Sequence, residues 1–113
     1  MKIEHYSFGS ISINGKTYTF DVIIYPETVD PSWLRKEGHS LRMDDLRSVM
    51  NAGPEVIVIG TGYYGRMNVP AHVLESLRKR GIEVHIGNTR DAVDFFNEVS
   101  ARRKTVACLH LTC

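Results

Sequence analysis

Four consecutive apolar β-branched residues, Val56 to Ile59, constrain the fold of this chain more than any other feature. A strand with one wet face alternates apolar and polar residues. This run does not alternate, which is typical of a strand covered on both faces. A sheet covered on both faces needs packed elements on each side, so we expect an α/β protein with this strand in the centre of its sheet.

Local signals place helices and strands around this strand. Pro70 suits the first position of a helix that Gly81 closes, and Thr89 is a good N-cap for a second helix. The predicted elements are a helix over 44–51, a strand over 56–59, a helix over 70–80, a strand over 82–86 that alternates as an edge strand does, a helix over 89–101 and a strand over 105–111.

The N-terminal part is predicted to form a β-hairpin. Ile11 and Ile13 alternate with serines, and Asn14-Gly15 supplies the two positive φ angles of a type I′ turn. The alternation then continues on the return strand through Tyr18, Phe20, Val22 and Ile24.

The order of these elements indicates the architecture. Strand, helix, strand, helix, strand argues for an α/β sheet with right-handed crossovers, to which the hairpin adds a layer or an edge. A length of 113 residues is that of one domain, residues 1–113.

Composition narrows the classes of partner. A net charge of +1 gives no electrostatic reason to expect nucleic acid or an anionic membrane surface. The first twenty residues alternate and no long apolar run follows, so we expect neither a signal peptide nor a membrane span. Cys108 and Cys113 show no metal-ligand spacing and are expected to stay reduced in the cytoplasm. No cofactor and no metal site is predicted.

Residues 60–65 follow the central strand with the pattern G-x-G-x-x-G. The dinucleotide fingerprint fails because Pro70 starts its helix too late, and the P-loop fails because Arg66 and Met67 replace its Lys and Ser/Thr. Either the glycines let the chain turn and pack closely, or the backbone N–H groups hold a small anion. The candidate residues for the anion site are Gly60, Thr61, Gly62, Tyr63, Gly65 and Arg66.

The last strand brings a histidine into consideration. Alternation places Cys108, His110 and Thr112 on one face. If this strand is parallel to the 56–59 strand, His110 lies near residues 60–65 and can give or take a proton there; if it is antiparallel, His110 lies at the opposite end. A buried histidine with one hydrogen bond is the structural alternative.

No period holds from Pro26 to about Leu41, and irregular segments of this length are uncommon unless they are functional or disordered. Trp33, Arg35 and His39 lie within it, and Trp and Arg dominate interface energetics. The segment either meets a partner or is held on the core by Trp33, and the sequence leaves both alternatives open.

Several blocks of residues occur in a familiar order along the chain: Gly9-x-Ile11-x-Ile13-x-Gly15 with Tyr18 and Asp21, Trp33-x-Arg35-x-x-Gly38-His39, Gly60-Thr61-Gly62, Thr89-x-x-Ala92-x-x-x-Phe96-Asn97, and His110-Leu111-Thr112-Cys113. Together they resemble the family of small Mth-type domains, which includes the adipogenesis-associated domain protein and a mitochondrial complex I assembly factor. The resemblance implies a three-layer α/β fold with a mixed central sheet, and it carries over no catalytic residues.

We therefore hypothesise a small binding or assembly module, whose Trp33 to His39 loop and glycine segment form a patch that faces a protein partner or a ligand. No complete catalytic set survives the spacing tests, which is why a catalytic role comes second. The alternative is an anion-binding protein or enzyme that uses residues 60–65, Arg66 and His110. The sequence leaves open the partner, the oligomeric state and whether the chain is an enzyme.

Overall fold

The computed structural model, which describes residues 1–113, contains eight strands in two sheets and three α-helices. The strands are β1 (Ile3–Ser7), β2 (Ser10–Ile13), β3 (Lys16–Tyr18), β4 (Val22–Ile24), β5 (Val29–Asp30), β6 (Val56–Thr61), β7 (Glu83–Gly87) and β8 (Thr105–His110). The helices are α1 (Arg47–Asn51), α2 (Ala71–Lys79) and α3 (Thr89–Val99), with a 3₁₀ turn at Met43–Leu46 before α1. None of these helices combines the length and apolar character needed to cross a lipid bilayer.

The larger sheet is mixed, as the family resemblance implies. Its five strands lie in the order β5-β4-β8-β6-β7, and a separate antiparallel sheet has the order β1-β2-β3. Strand β6 is parallel to both of its neighbours, β7 and β8, whereas β4 is antiparallel to β8. The predicted covered strand is therefore internal, although β8 rather than β6 is the middle strand. The predicted edge position of β7 is confirmed.

The structure has three layers, because both faces of the larger sheet are covered. Val56 and Val58 of β6 pack into one core, under α3 and the three-stranded sheet. Ile57 and Ile59 pack into a second core on the other face, under α1, α2 and residues 33–43. The run of four apolar residues thus reports burial on both sides, and the predicted architecture is confirmed.

The hairpin turn is as predicted, but the return strand is shorter. Asn14 and Gly15 have φ angles of 48° and 82°, and β3 ends at Tyr18. The chain then crosses to the other sheet, where all three residues of β4 are buried and pair with β8. Phe20, at the crossover, is 71% exposed. The alternation from Tyr18 to Ile24 was therefore wrongly assigned to one strand, because local periodicity does not show where a chain changes sheets.

The boundaries of all three helices differ from the expectations. Pro70 is the N-cap of α2 rather than its first residue. Asn88 caps α3, since its side chain accepts a hydrogen bond from the Asp91 amide at 2.9 Å. Thr89 is the first helical residue and is fully buried. The helix ends at Val99, two residues before the predicted end, and the predicted 44–51 helix is divided into the 3₁₀ turn and α1.

Candidate functional site

The parallel pairing of β6 and β8 brings their carboxyl ends together. In this register Thr61 lies beside His110, so the parallel alternative for the last strand is the correct one. A Cβ atom on Gly62 would lie 2.9 Å from Cδ2 of His110. The histidine and the glycine segment therefore form one site at this end of the sheet.

A partly buried carboxylate, Asp21, joins this site to the rest of the chain. Its Oδ1 accepts the backbone N–H of Leu111 at 2.8 Å. Its Oδ2 lies 2.8 Å from Nδ1 of His110 and 2.8 Å from Nη1 of Arg35. The side chains of Arg35, His110 and Asp21 are 5%, 8% and 17% exposed. We call these three residues the Asp21 cluster.

The contacts assign the protons of the cluster. Because Oδ2 of Asp21 is an acceptor at 2.8 Å, Nδ1 of His110 carries a hydrogen and donates it. Nη2 of Arg35 lies 3.2 Å from the same nitrogen and donates instead to the carbonyl of Gly38 at 3.1 Å. Nε2 of His110 and Nε of Arg35 are buried without a hydrogen-bond partner. The imidazole is held in one tautomer, with its second nitrogen unused.

The carboxyl of Asp21 is held ionised by these neighbours. Burial by itself raises its pKa, but the hydrogen bonds from His110, the Leu111 amide and Arg35, with the positive charge of His110 when it is protonated, outweigh burial and lower the pKa below its ordinary value of 3.8. The Arg35 guanidinium also stacks on the Trp33 ring, with 4.6 Å between its Cζ and the ring centroid. The cluster thus ties the crossover, the 33–39 loop and β8 together.

The chemistry of the cluster is that of an oriented Asp–His pair. A carboxylate on Nδ1 leaves Nε2 of His110 as the atom that exchanges protons, which is the arrangement of a general base. In this structure that atom is buried and does not face solvent. Cys108 is not a second reactive group beside it, because burial raises the pKa of its thiol to about 12.

Close packing explains the first two glycines of the turn. A Cβ on Gly60 would lie 2.8 Å from Oγ1 of Thr89, and one on Gly62 would lie 2.6 Å from the carbonyl oxygen of Thr112. Gly62 also has a φ of 106°. The Thr89 hydroxyl donates to the His110 carbonyl at 2.6 Å and accepts the Gly62 N–H at 2.9 Å. These contacts favour the structural explanation of the glycine pattern.

Three of the backbone donors of the glycine turn already have acceptors. The N–H groups of Gly62, Tyr63 and Gly65 donate to Thr89 Oγ1, to the Thr112 carbonyl and to the Gly62 carbonyl. The Arg66 guanidinium lies over the ring of Tyr64, 5.3 Å from its centroid. The amides of Gly62, Tyr63 and Gly65 are therefore not free to hold an anion, whereas no hydrogen bond within the protein uses the N–H groups of Tyr64 and Arg66.

The 33–39 loop is held on the core, and one of its residues stands out from it. Trp33 is 5% exposed and its Nε1 donates to the carbonyl of Asp45 at 3.1 Å. The His39 ring centroid lies 6.2 Å from that of His110. Leu34, between the buried Trp33 and Arg35, is 82% exposed. Of the two alternatives for Trp33, the structure shows the anchoring one.

Exposed apolar side chains surround the end of β8 in two groups. Phe20 and Leu34 line a pocket of about 460 Å³ that also includes Thr112. Tyr63 donates its N–H to the Thr112 carbonyl and packs with Phe8 and Tyr64, with ring centroids 5.1 to 6.3 Å apart. Both groups therefore border the same C-terminal segment. We call them together the apolar face: Phe8, Phe20, Leu34, Tyr63 and Tyr64.

Sequence patterns alone assign no functional role to four residues of the apolar face, and none to Asp21. A lone acid between Phe20 and Val22 in an otherwise apolar run is the one signal that could have identified Asp21, because a buried carboxylate needs partners. No local pattern distinguishes an exposed Leu34 from a buried one. The residues that were not identified are Phe8, Phe20, Asp21, Leu34 and Tyr64.

The family model for a protein of unknown function, DUF498/DUF598, matches residues 3–110. A zebrafish (Danio rerio) protein described as NADH dehydrogenase [ubiquinone] 1 alpha subcomplex assembly factor 3 is 31% identical over 107 residues. The match covers 93% of this chain and 60% of the zebrafish protein, so the chain spans only part of the length of that relative.

Solved structures share the fold. A conserved hypothetical protein from Pyrococcus horikoshii superposes with a TM-score of 0.85 at 26% identity, covering 100% of both chains. A Mth938-like domain from Bordetella pertussis superposes with a TM-score of 0.70 at 20% identity, over 97% of this chain and 85% of that one. The resemblance to Mth-type domains is thereby confirmed.

Replacing the central carboxylate tests the cluster. Asp21→Asn leaves a charge on buried Arg35 without its counter-ion, and we expect it to lower the free energy of unfolding at neutral pH by about 3 to 5 kcal/mol. The pKa of Asp21 is lower in the folded chain than in the unfolded one, so its contribution is present above pH 3.8 and is lost as the pH falls through the folded value. Urea titrations of both proteins from pH 7 to below pH 4 measure this.

Asp94→Asn is the matched control, because Asp94 is exposed and forms no ion pair. We expect this variant to unfold as the wild type does at every pH. A difference between wild type and Asp21→Asn that stays constant down to the most acidic measurement would contradict the role given to the Asp21 cluster.

A glycine pair tests the packing explanation of the turn. In Gly62→Ala, the positive φ and the contact with the Thr112 carbonyl together should cost about 2 to 4 kcal/mol. Gly81 has a φ of 79° and open space where a Cβ would stand, so Gly81→Ala should cost only about 1 kcal/mol. Equal losses in urea unfolding would show that Gly62 needs only backbone freedom and not the close approach.

Proposed function

This chain belongs to the family of proteins of unknown function designated DUF498/DUF598, and from that premise we propose that it is a protein-binding module of the assembly type. Its partner-binding surface is the apolar face at the carboxyl ends of β6 and β8. The proposal keeps the two segments that the sequence indicated, the 33–39 loop and the glycine turn. However, the residues that we propose to contact the partner are different from those that the sequence suggested.

The observation that carries the proposal is the exposure of large apolar side chains around one segment. Leu34 and Phe20 are 82% and 71% exposed, and Tyr64, Phe8 and Tyr63 are 62%, 51% and 40% exposed. Single exposed apolar residues are ordinary, but a group of them gathered at one end of a sheet is typical of an interaction site. Aromatic side chains in particular supply interface contacts with little loss of conformational entropy.

The buried neighbours of Leu34 prepare it for binding. Trp33 is fixed by its hydrogen bond to Asp45, and Arg35 is fixed by its ion pair with Asp21. Leu34 is therefore held outward on a loop that is anchored on both sides. A side chain presented in this way loses less entropy on binding than one on a free loop, which favours affinity.

The zebrafish relative supports a protein partner, because it is described as an assembly factor. We extend only that general role to this chain, since the match covers 60% of that protein. The two free thiols, Cys108 and Cys113, support our expectation that the module acts in the reducing cytoplasm.

The test replaces Leu34 and Phe20, the two apolar residues that line the pocket beside Thr112, with serine. Partners are cross-linked to the chain in lysate of the source organism, identified by mass spectrometry and purified for titration. We expect the double variant Leu34→Ser, Phe20→Ser to raise the Kd of the purified partner at least about tenfold, because exposed anchor residues dominate interface energy.

Ile86→Ser is the control, since Ile86 is 41% exposed on β7, outside the apolar face. This variant should bind the partner with the wild-type Kd. An unchanged Kd in the double variant would rule out the apolar face as the binding surface, and so would an equal loss in Ile86→Ser.

A further inference from the structure

A groove follows the whole of β1, one of the two edge strands of the smaller sheet. It has a volume of about 400 Å³ and lies between this strand and α3. All five residues of the strand line it, and the helix contributes Arg90, Val93, Asp94 and Asn97. A groove that runs along a strand edge has the shape of an extended peptide rather than that of a compact ligand.

One end of this edge is already occupied by a side chain that imitates a strand. The backbone N–H of Ile3 donates to Oδ1 of Asn97 at 2.9 Å, and Nδ2 of Asn97 donates to the Ile3 carbonyl at 2.7 Å. A carboxamide has the same donor and acceptor as a peptide group. Asn97 therefore takes the place that a neighbouring strand would fill at Ile3.

The register shows that the next position on the edge is open. Ser7 and Ser10 flank a two-residue turn and form a hydrogen-bonded pair, so the following pair, Tyr6 and Ile11, is of the type without hydrogen bonds. In agreement, Ile11 is paired with Tyr18 on its other side. The N–H and carbonyl of Tyr6 thus point away from β2 toward the groove, and no turn or side-chain hydrogen bond uses them.

The groove is continuous with the apolar face. Phe8 belongs to that face and lies one residue beyond the end of β1. The Tyr6 ring is 6.3 Å from that of Tyr63, and the Arg90 guanidinium is 5.9 Å from the Tyr6 ring, measured to ring centroids. A chain segment that contacts the face at Phe8 can continue directly into the groove.

We infer that the groove binds an extended segment of the partner protein, which adds to β1 as a fourth strand of the smaller sheet. The segment pairs its backbone with the N–H and carbonyl of Tyr6, and it ends where the carboxamide of Asn97 already occupies the edge. Main-chain hydrogen bonds supply the affinity in this mode of recognition. The inference rests on the proposed function and names the form in which the partner is recognised.

The test uses random peptides of about eight residues, displayed on phage and selected against the immobilised full chain. Enriched peptides are synthesised and titrated. Asp94→Trp fills the groove and should raise the peptide Kd about tenfold or more. Glu98→Trp places the same side chain on an exposed position of α3 outside the groove and should leave the Kd unchanged. Arg90→Trp is a second groove-filling variant should the first fold poorly.

Backbone pairing has its own signature. N-methylation of the peptide should abolish binding at the residue that pairs with Tyr6 and be tolerated at the residues on either side of it. In the same complex the Tyr6 amide should become protected from hydrogen exchange.

Three outcomes overturn the inference: no peptide is enriched, the peptides bind Asp94→Trp as tightly as wild type, or N-methylation is tolerated throughout. Leu34→Ser separates the two proposals. Peptide binding that survives this change and fails in Asp94→Trp supports the groove whether or not the apolar face binds a partner. Partner binding that fails in Leu34→Ser and survives in Asp94→Trp keeps the apolar face and overturns the groove.

Discussion

The position of one partly buried carboxylate determines how three distant parts of this chain meet. Asp21 lies at the crossover between the sheets and holds the Arg35 guanidinium, the His110 imidazole and the Leu111 amide. A buried ion is costly unless its lone pairs are filled, and here partners from the loop and the last strand fill them. We interpret the Asp21 cluster as the contact that determines how the crossover, the 33–39 loop and β8 pack together. The apolar face depends on that packing.

The glycine turn also packs against the end of β8, where the Asp21 cluster lies. Thr89 connects α3 to both the turn and β8 through one hydroxyl, for which Gly60 leaves space, and Gly62 leaves space for the backbone of Thr112. A turn of this composition resembles a phosphate loop in sequence, yet the amides of Gly62, Tyr63 and Gly65 donate to acceptors within the protein. The pattern G-x-G-x-x-G therefore indicates that other atoms lie very close to this backbone. Here those atoms belong to another part of the same chain.

Local sequence patterns predicted the fold where the physical cause is local. The apolar run at 56–59 and the Asn14-Gly15 turn were sufficient for a covered strand and a hairpin, because burial on two faces and positive φ angles leave direct traces in residue type. The site was less predictable. Asp21 and His110 are 89 residues apart, and no periodicity encodes such a pair. The resemblance included both residues among its blocks but gave neither a role.

In this chain, the residues that we propose to contact the partner lie next to the residues whose types suggested a binding function. Trp33 and Arg35 attracted the binding hypothesis, since such residues dominate interfaces, yet both are consumed in holding the loop on the core. Leu34 lies between them and is exposed because its neighbours are buried. On the N-terminal sheet, Tyr6 is buried and packs on the core while its N–H and carbonyl are unpaired beside a groove. In both places a buried side chain fixes the part of the chain that is offered outward, so a binding surface here is built by the core beneath it.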